Sequence, residues 1–131
     1  KEAFKDNLKF NLEEIKITPN TNFSHILIKL AFSKNIGHEV LSKIFDAYFS
    51  KGKNIGDREI LVKIGRSSNI NEKEINDMFS SDKEINEINK SDIAARSMGI
   101  NGVPFFEINN KTYISGAQSS ENLIEAIKAN L

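Results

Sequence analysis

Cysteine is absent from all 131 residues of this chain. Neither a disulfide scaffold nor a thiolate zinc site can therefore hold it together, and no thiolate nucleophile is available within it. Proline occurs twice and glycine seven times, too sparsely for a flexible linker of any length. No apolar run approaches the roughly 18 residues that span a bilayer, so no membrane partner is expected. Eighteen Lys and Arg balance eighteen Asp and Glu, and a net charge near zero argues against a nucleic-acid partner. No internal repeat appears, nor a Ser-His-Asp arrangement or a carboxylate dyad. Gly52-Lys53-Asn54-Ile55-Gly56 lacks the order of a phosphate loop and follows a helix, where such a loop would follow a strand. No set of side chains has metal-ligand spacing, so no metal and no cofactor are expected. One domain is the natural count at this length.

What is present is mostly amphipathic helix. Phe4 and Leu8 suggest a helix over Lys1 to about Leu8, and Phe10 to Ile17 reads as an extended connection ending at Pro19. Phe23, Ile26, Leu27, Leu30 and Ala31 follow the i, i+3, i+4, i+7, i+8 rule, which predicts a helix to about Asn35 that Gly37 closes. Val40, Leu41, Ile44, Phe45 and Tyr48 set a second helix, stopped at Gly52. Asp57 is a good N-cap for a third, with stripe Ile60, Leu61 and Ile64, ending near Gly65. Asn71 with Glu74 and Ser81 with Glu84 have capping-box spacing, so two more helices begin there. The last runs through Ile85, Ile88, Ile93 and Ala94 to Met98, with Gly99 as its C-cap.

The character then changes. Phe105-Phe106-Glu107-Ile108 and Thr112-Tyr113-Ile114-Ser115 are β-prone runs separated by Asn109-Asn110-Lys111. Asparagine tolerates positive φ, which suits a primed hairpin turn. Pro104 stands at the first residue of the first run, where a residue without an N–H is tolerated. A terminal helix from about Ser119 presents Leu123, Ile124, Ile127 and Leu131. A lone hairpin is marginal and leaves unpaired edges, so Phe105, Phe106, Ile108, Tyr113 and Ile114 call for a larger sheet. Adjacent strand residues face opposite sides, so at least one of Phe105 and Phe106 belongs to a core.

Three ordered blocks resemble a known family. They are Pro19-Asn20-Thr21 with His25; Ala47-Tyr48-Phe49, Gly52 and Ile55-Gly56-Asp57; and Ala94-Ala95-Arg96 leading through Gly99-Ile100 and Gly102-Val103-Pro104-Phe105-Phe106 to Ser115-Gly116-Ala117-Gln118. Together they resemble the DsbA-like thioredoxin-fold family, and within it the FrnE-like branch. The resemblance implies a mainly helical α+β chain with an incomplete thioredoxin-like fold. A helical insertion at about residues 20–99 would precede a C-terminal thioredoxin-fold half at 100–131, the whole forming one domain fragment of 1–131. It implies a cis Val103–Pro104 bond with the Val103 backbone facing outward, and a substrate-binding loop made of Val103, Pro104 and Phe105. His25 and Asn20 would lie near the active-site face, while Asn20 and Thr21 by themselves read as helix caps. His38 is assigned no function, and Lys51, Lys53 and Arg58 read as solvated surface.

The family begins with a strand, a Cys-x-x-Cys motif at a helix start and a second strand, and this chain holds no counterpart of that motif. The expectation is a C-terminal part of a thiol-disulfide oxidoreductase, with no catalytic residue of its own and inactive alone. Its partners would be protein thiol or disulfide substrates in the full-length cytoplasmic protein, with self-association through the incomplete sheet edge as a further expectation. Two alternatives stand beside this reading. One is a fragment of a relative of kappa-type glutathione transferases and hydroxychromene-carboxylate isomerases, which share the inserted helices and the Gly-Val-Pro loop. The other is a non-catalytic binding module.

Overall fold

Residues 10–131 are described by a computed structural model; the helix expected over Lys1 to about Leu8 lies outside them. The chain divides into two compact units, Lys1–Asn89 and Lys90–Leu131. The first holds a short 3-10 turn, Leu12–Glu14, inside the segment expected to be extended, followed by α1 (Asn22–Ser33), α2 (Gly37–Phe45) and a π-helical turn (Asp46–Ser50). Helices α3 (Arg58–Ser67) and α4 (Glu72–Phe79) complete it, and α5 (Asp82–Ser97) carries the chain from one unit to the next. The second unit continues with β1 (Phe105–Ile108), β2 (Thr112–Ser115) and α6 (Ser120–Lys128). This is the mainly helical α+β arrangement of the thioredoxin type expected from the sequence.

Local chemistry sets the helix starts. The Asp57 carboxylate accepts from the N–H groups of Glu59 and Ile60, and the Asn71 side chain accepts from those of Lys73 and Glu74. Each satisfies donors that the first turn leaves unpaired. The first unit is organised around α1, whose buried Ile26, Leu27, Leu30 and Ala31 meet α2, α3 and α4. Val40, Ile44, Ala47, Ile55, Leu61, Ile70, Ile75 and Phe79 complete its core. Buried Ser24 is satisfied by donating its hydroxyl to the Ile55 carbonyl at 2.6 Å. Lys29 binds the largely buried Glu84 at 2.6 Å, and the hydrogen bonds to Glu84 and Glu87 raise the pKa of the ammonium.

Several expected boundaries move, each for a packing reason. Gly37 does not close α1. The chain turns at Asn35, with φ 62°, and Gly37 opens α2, buried under the Phe32 ring where a Cβ would collide. Gly65 does not end α3, which runs on to Ser67. It lies inside the helix because a Cβ there would meet Ile75 Cδ1 at 2.5 Å, so its missing side chain sets the approach of α4. Phe45, expected in the α2 stripe, is 52% exposed. Ala47 continues the buried row after Ile44 at ordinary helical spacing, and Tyr48 packs against it only partly buried.

No residue of Lys90–Leu131 is buried. Ile93, Met98, Ile124, Ile127 and Leu131, expected on apolar stripes, are all exposed. Burial of apolar surface is what makes local opening costly. Slowly exchanging amides are therefore expected in α1–α4, with those of β1, β2 and α6 exchanging orders of magnitude faster. Hydrogen exchange read residue by residue checks this; β1 amides protected as well as those of α1 would contradict it.

Candidate functional site

The loop after α5 is built by its own sequence. Gly99, at φ 82°, ends the helix. Its N–H donates to the Arg96 carbonyl, and that of Ile100 reaches back to Ala95, the doubled closure a left-handed residue permits. Within α5, Asp92 binds Arg96 Nε at 2.8 Å and raises the guanidinium pKa. Asn101, Gly102 and Val103 are exposed, Val103 to 88%. The Val103–Pro104 peptide is cis. The Pro104 carbonyl then accepts from the Gly116 N–H at 2.8 Å, which pins the loop to the far end of the hairpin.

The strands pair antiparallel, with Phe105 opposite Ser115, Phe106 opposite Ile114, Glu107 opposite Tyr113 and Ile108 opposite Thr112. Asn109 and Asn110 turn between them at φ 51° and 53°, and the Lys111 N–H donates to the Ile108 carbonyl. Because the Pro104–Gly116 pair is hydrogen-bonded, antiparallel alternation makes Phe106–Ile114 and Ile108–Thr112 hydrogen-bonded pairs as well. The N–H and C=O of Phe105 and Glu107 then point away from β2. Among the described residues the sheet holds only β1 and β2, so these groups form an open edge that continues from Val103.

Each face of the hairpin has its own chemistry. Phe106, Ile108, Thr112 and Ile114 share one, where Thr112 donates its hydroxyl to Asn130 Oδ1 at 3.0 Å. On the other, Phe105 and Tyr113 are diagonal neighbours whose rings stack at 6.0 Å between centroids. With Met98 and Ile100 they line an apolar cleft of about 460 Å³, within the range of ligand-sized pockets. Sequence reasoning missed this cleft. The alternation that places Phe105 and Tyr113 on one face is its available signal, whereas Met98 reads in the sequence as the end of a helix.

Val103 and Pro104 are thus exposed and lead directly into half-buried Phe105. His25 and Asn20 belong to the first unit. His25 is exposed on α1, and its N–H donates to the Thr21 carbonyl. Asn20 accepts the Asn22 N–H at 2.9 Å, a local side-chain turn ahead of α1, whereas Thr21, at the N-cap position, makes no side-chain capping bond. Lys51 and Arg58 do not act as a basic cluster: Lys51 pairs with Asp46 at 2.6 Å, whose carboxyl is held below its ordinary range by that bond. Arg58 lies 4.3 Å over the Phe23 ring and donates to the Phe79 carbonyl. Among the described residues no group of three or more His, Asp or Glu is placed to hold a metal ion, and no helix is long and apolar enough to cross a membrane.

The sequence matches the family model of the DSBA-like thioredoxin domain over residues 2–128. The chain belongs to that family. The DSBA-like domain is of thiol-disulfide oxidoreductase type, and the matched span takes in nearly all of both compact units. No curated protein matches the sequence.

Proposed function

We propose that this chain receives protein substrates for thiol-disulfide exchange, holding an extended segment of the substrate along Val103, Pro104 and the open edge of β1. The observation that carries the reading is that edge: 88% exposure of Val103, followed by the outward backbone groups of Phe105 and Glu107. Main-chain pairing to a sheet edge accepts many sequences, which suits an enzyme class acting on varied proteins. The neighbouring cleft of Met98, Ile100, Phe105 and Tyr113 adds a preference for an apolar side chain beside the reacting sulfur. Methionine adapts its shape to different occupants. The thiol pair has to come from outside these residues, which contain no cysteine. We place the chain in the FrnE-like branch and a cytoplasmic setting on the resemblance of Pro19-Asn20-Thr21, Ile55-Gly56-Asp57 and Ser115-Gly116-Ala117-Gln118.

The test is a titration with an extended peptide whose single blocked cysteine is flanked by apolar residues, followed through backbone amide resonances. Shifts are expected at Val103, Phe105 and Glu107, with Tyr113→Ala weakening binding several-fold. Shifts confined to the first unit, or none at saturating peptide, would overturn the reading.

A further inference from the structure

Asn101-Gly102 is the single Asn-Gly pair among the asparagines of this chain. Both residues are exposed in the loop before Val103. Among the described residues the Asn101 side chain has no hydrogen-bond partner, and the Gly102 N–H has none either. Other asparagines are held in place. Asn20, Asn54 and Asn71 accept backbone N–H groups, and Asn109 Nδ2 donates to the Asn130 carbonyl at 2.6 Å. They are also followed by residues whose side chains crowd the next amide, whereas glycine leaves it open to close approach.

We propose that Asn101-Gly102 is a self-modifying site, at which the loop converts asparagine to aspartate and isoaspartate without an enzyme. The deprotonated Gly102 nitrogen attacks Cγ of Asn101, a C–N bond closes a five-membered succinimide, and Nδ2 leaves as ammonia. Water then opens the ring at either carbonyl, and no electrons are exchanged with any partner. Opening at one carbonyl leaves aspartate. Opening at the other routes the main chain through Cβ and lengthens it by one carbon just before Val103. Either product is ionised at neutral pH and gives a chain of formal net charge zero one negative charge. The modification therefore alters both the spacing and the charge of the exposed element ahead of Pro104. The conversion itself does not depend on the functional reading above.

The test uses the whole chain, incubated in neutral and mildly alkaline buffers and digested with trypsin, so that residues 97–111 hold Asn101, Asn109 and Asn110 in one peptide. A synthetic peptide of residues 97–111 serves as the unfolded reference. Conversion is expected at Asn101 first, at a rate of the same order as in the synthetic peptide and rising with pH. Its signs are the mass change from amide to acid, a mixture of Asp and isoAsp, and a more acidic band on native charge separation. Gly102→Ala is expected to suppress it. The variant is accommodated, because the nearest atom to a Cβ at that position is Ser115 Oγ at 3.8 Å. Protection of Asn101 by on the order of tenfold or more relative to the synthetic peptide would show that folding immobilises the loop, and would overturn the proposal. So would conversion at Asn109 or Asn110 ahead of Asn101, or an unchanged rate in Gly102→Ala.

Discussion

A disulfide substrate incubated with this polypeptide and a thiol reductant is expected to be reduced no faster than in buffer alone. Exchange proceeds by attack of a thiolate on a disulfide sulfur through a mixed disulfide, and the chain has no cysteine to supply one. Serine and threonine hydroxyls do not substitute, because an alkoxide is scarcely populated at neutral pH and the mixed intermediate needs sulfur. The loss relative to a member of the family with its thiol pair is therefore complete. Loss of the disulfide substrate, followed by chromatography with the protein purified to homogeneity, is the measurement. A rate proportional to protein concentration that survives thiol-blocking of contaminants would refute the expectation. Binding is a separate matter: on the proposed reading, the edge at Val103 and β1 holds a peptide without turning it over.

The second large effect concerns the core of the helical unit. Phe79→Ala is expected to cost about 3–5 kcal/mol, the usual range for deleting a fully buried aromatic side chain. Phe79 has no solvent exposure, its ring lies 5.1 Å from that of Phe23, and its carbonyl receives Arg58, so the deletion opens a cavity where three elements converge. Set against a typical total of about 5–15 kcal/mol, that is enough to leave the unit partly unfolded at moderate temperature. Leu131→Ala is the control. Leu131 is 97% exposed, and a surface change of this kind lies within about 0.5 kcal/mol of neutral. Urea unfolding followed by helical circular dichroism compares the two. Equal midpoints would show that the buried cluster of Ile26, Leu61, Ile75 and Phe79 does not hold the helices together.

What could be read in the sequence alone was whatever a few neighbouring residues decide. Asp57, Asn71 and Ser119 cap the helices that follow them, because a short side chain finds the N–H groups of its own next turn. Asn109-Asn110 makes the hairpin turn, since two successive residues must accept positive φ. Glycine, valine and proline before two aromatics marked the exposed loop, and the strand limits Phe105–Ile108 and Thr112–Ser115 followed from β-prone runs bounded by turn residues. Tertiary structure decided whatever depends on a partner distant in the chain. Gly37 and Gly65 look like helix ends, yet each is where Phe32 or Ile75 presses against the backbone. Phe45 and Ile93 sit at helical spacing in apolar stripes yet remain exposed. Periodicity reports that a helix has an apolar face, but burial requires a second surface to meet it, and only the folded chain shows which faces find one. The cleft of Met98, Ile100, Phe105 and Tyr113 is of the same kind: strand alternation sets two rings on one face, but only the folded chain puts that face beside Met98 and Ile100.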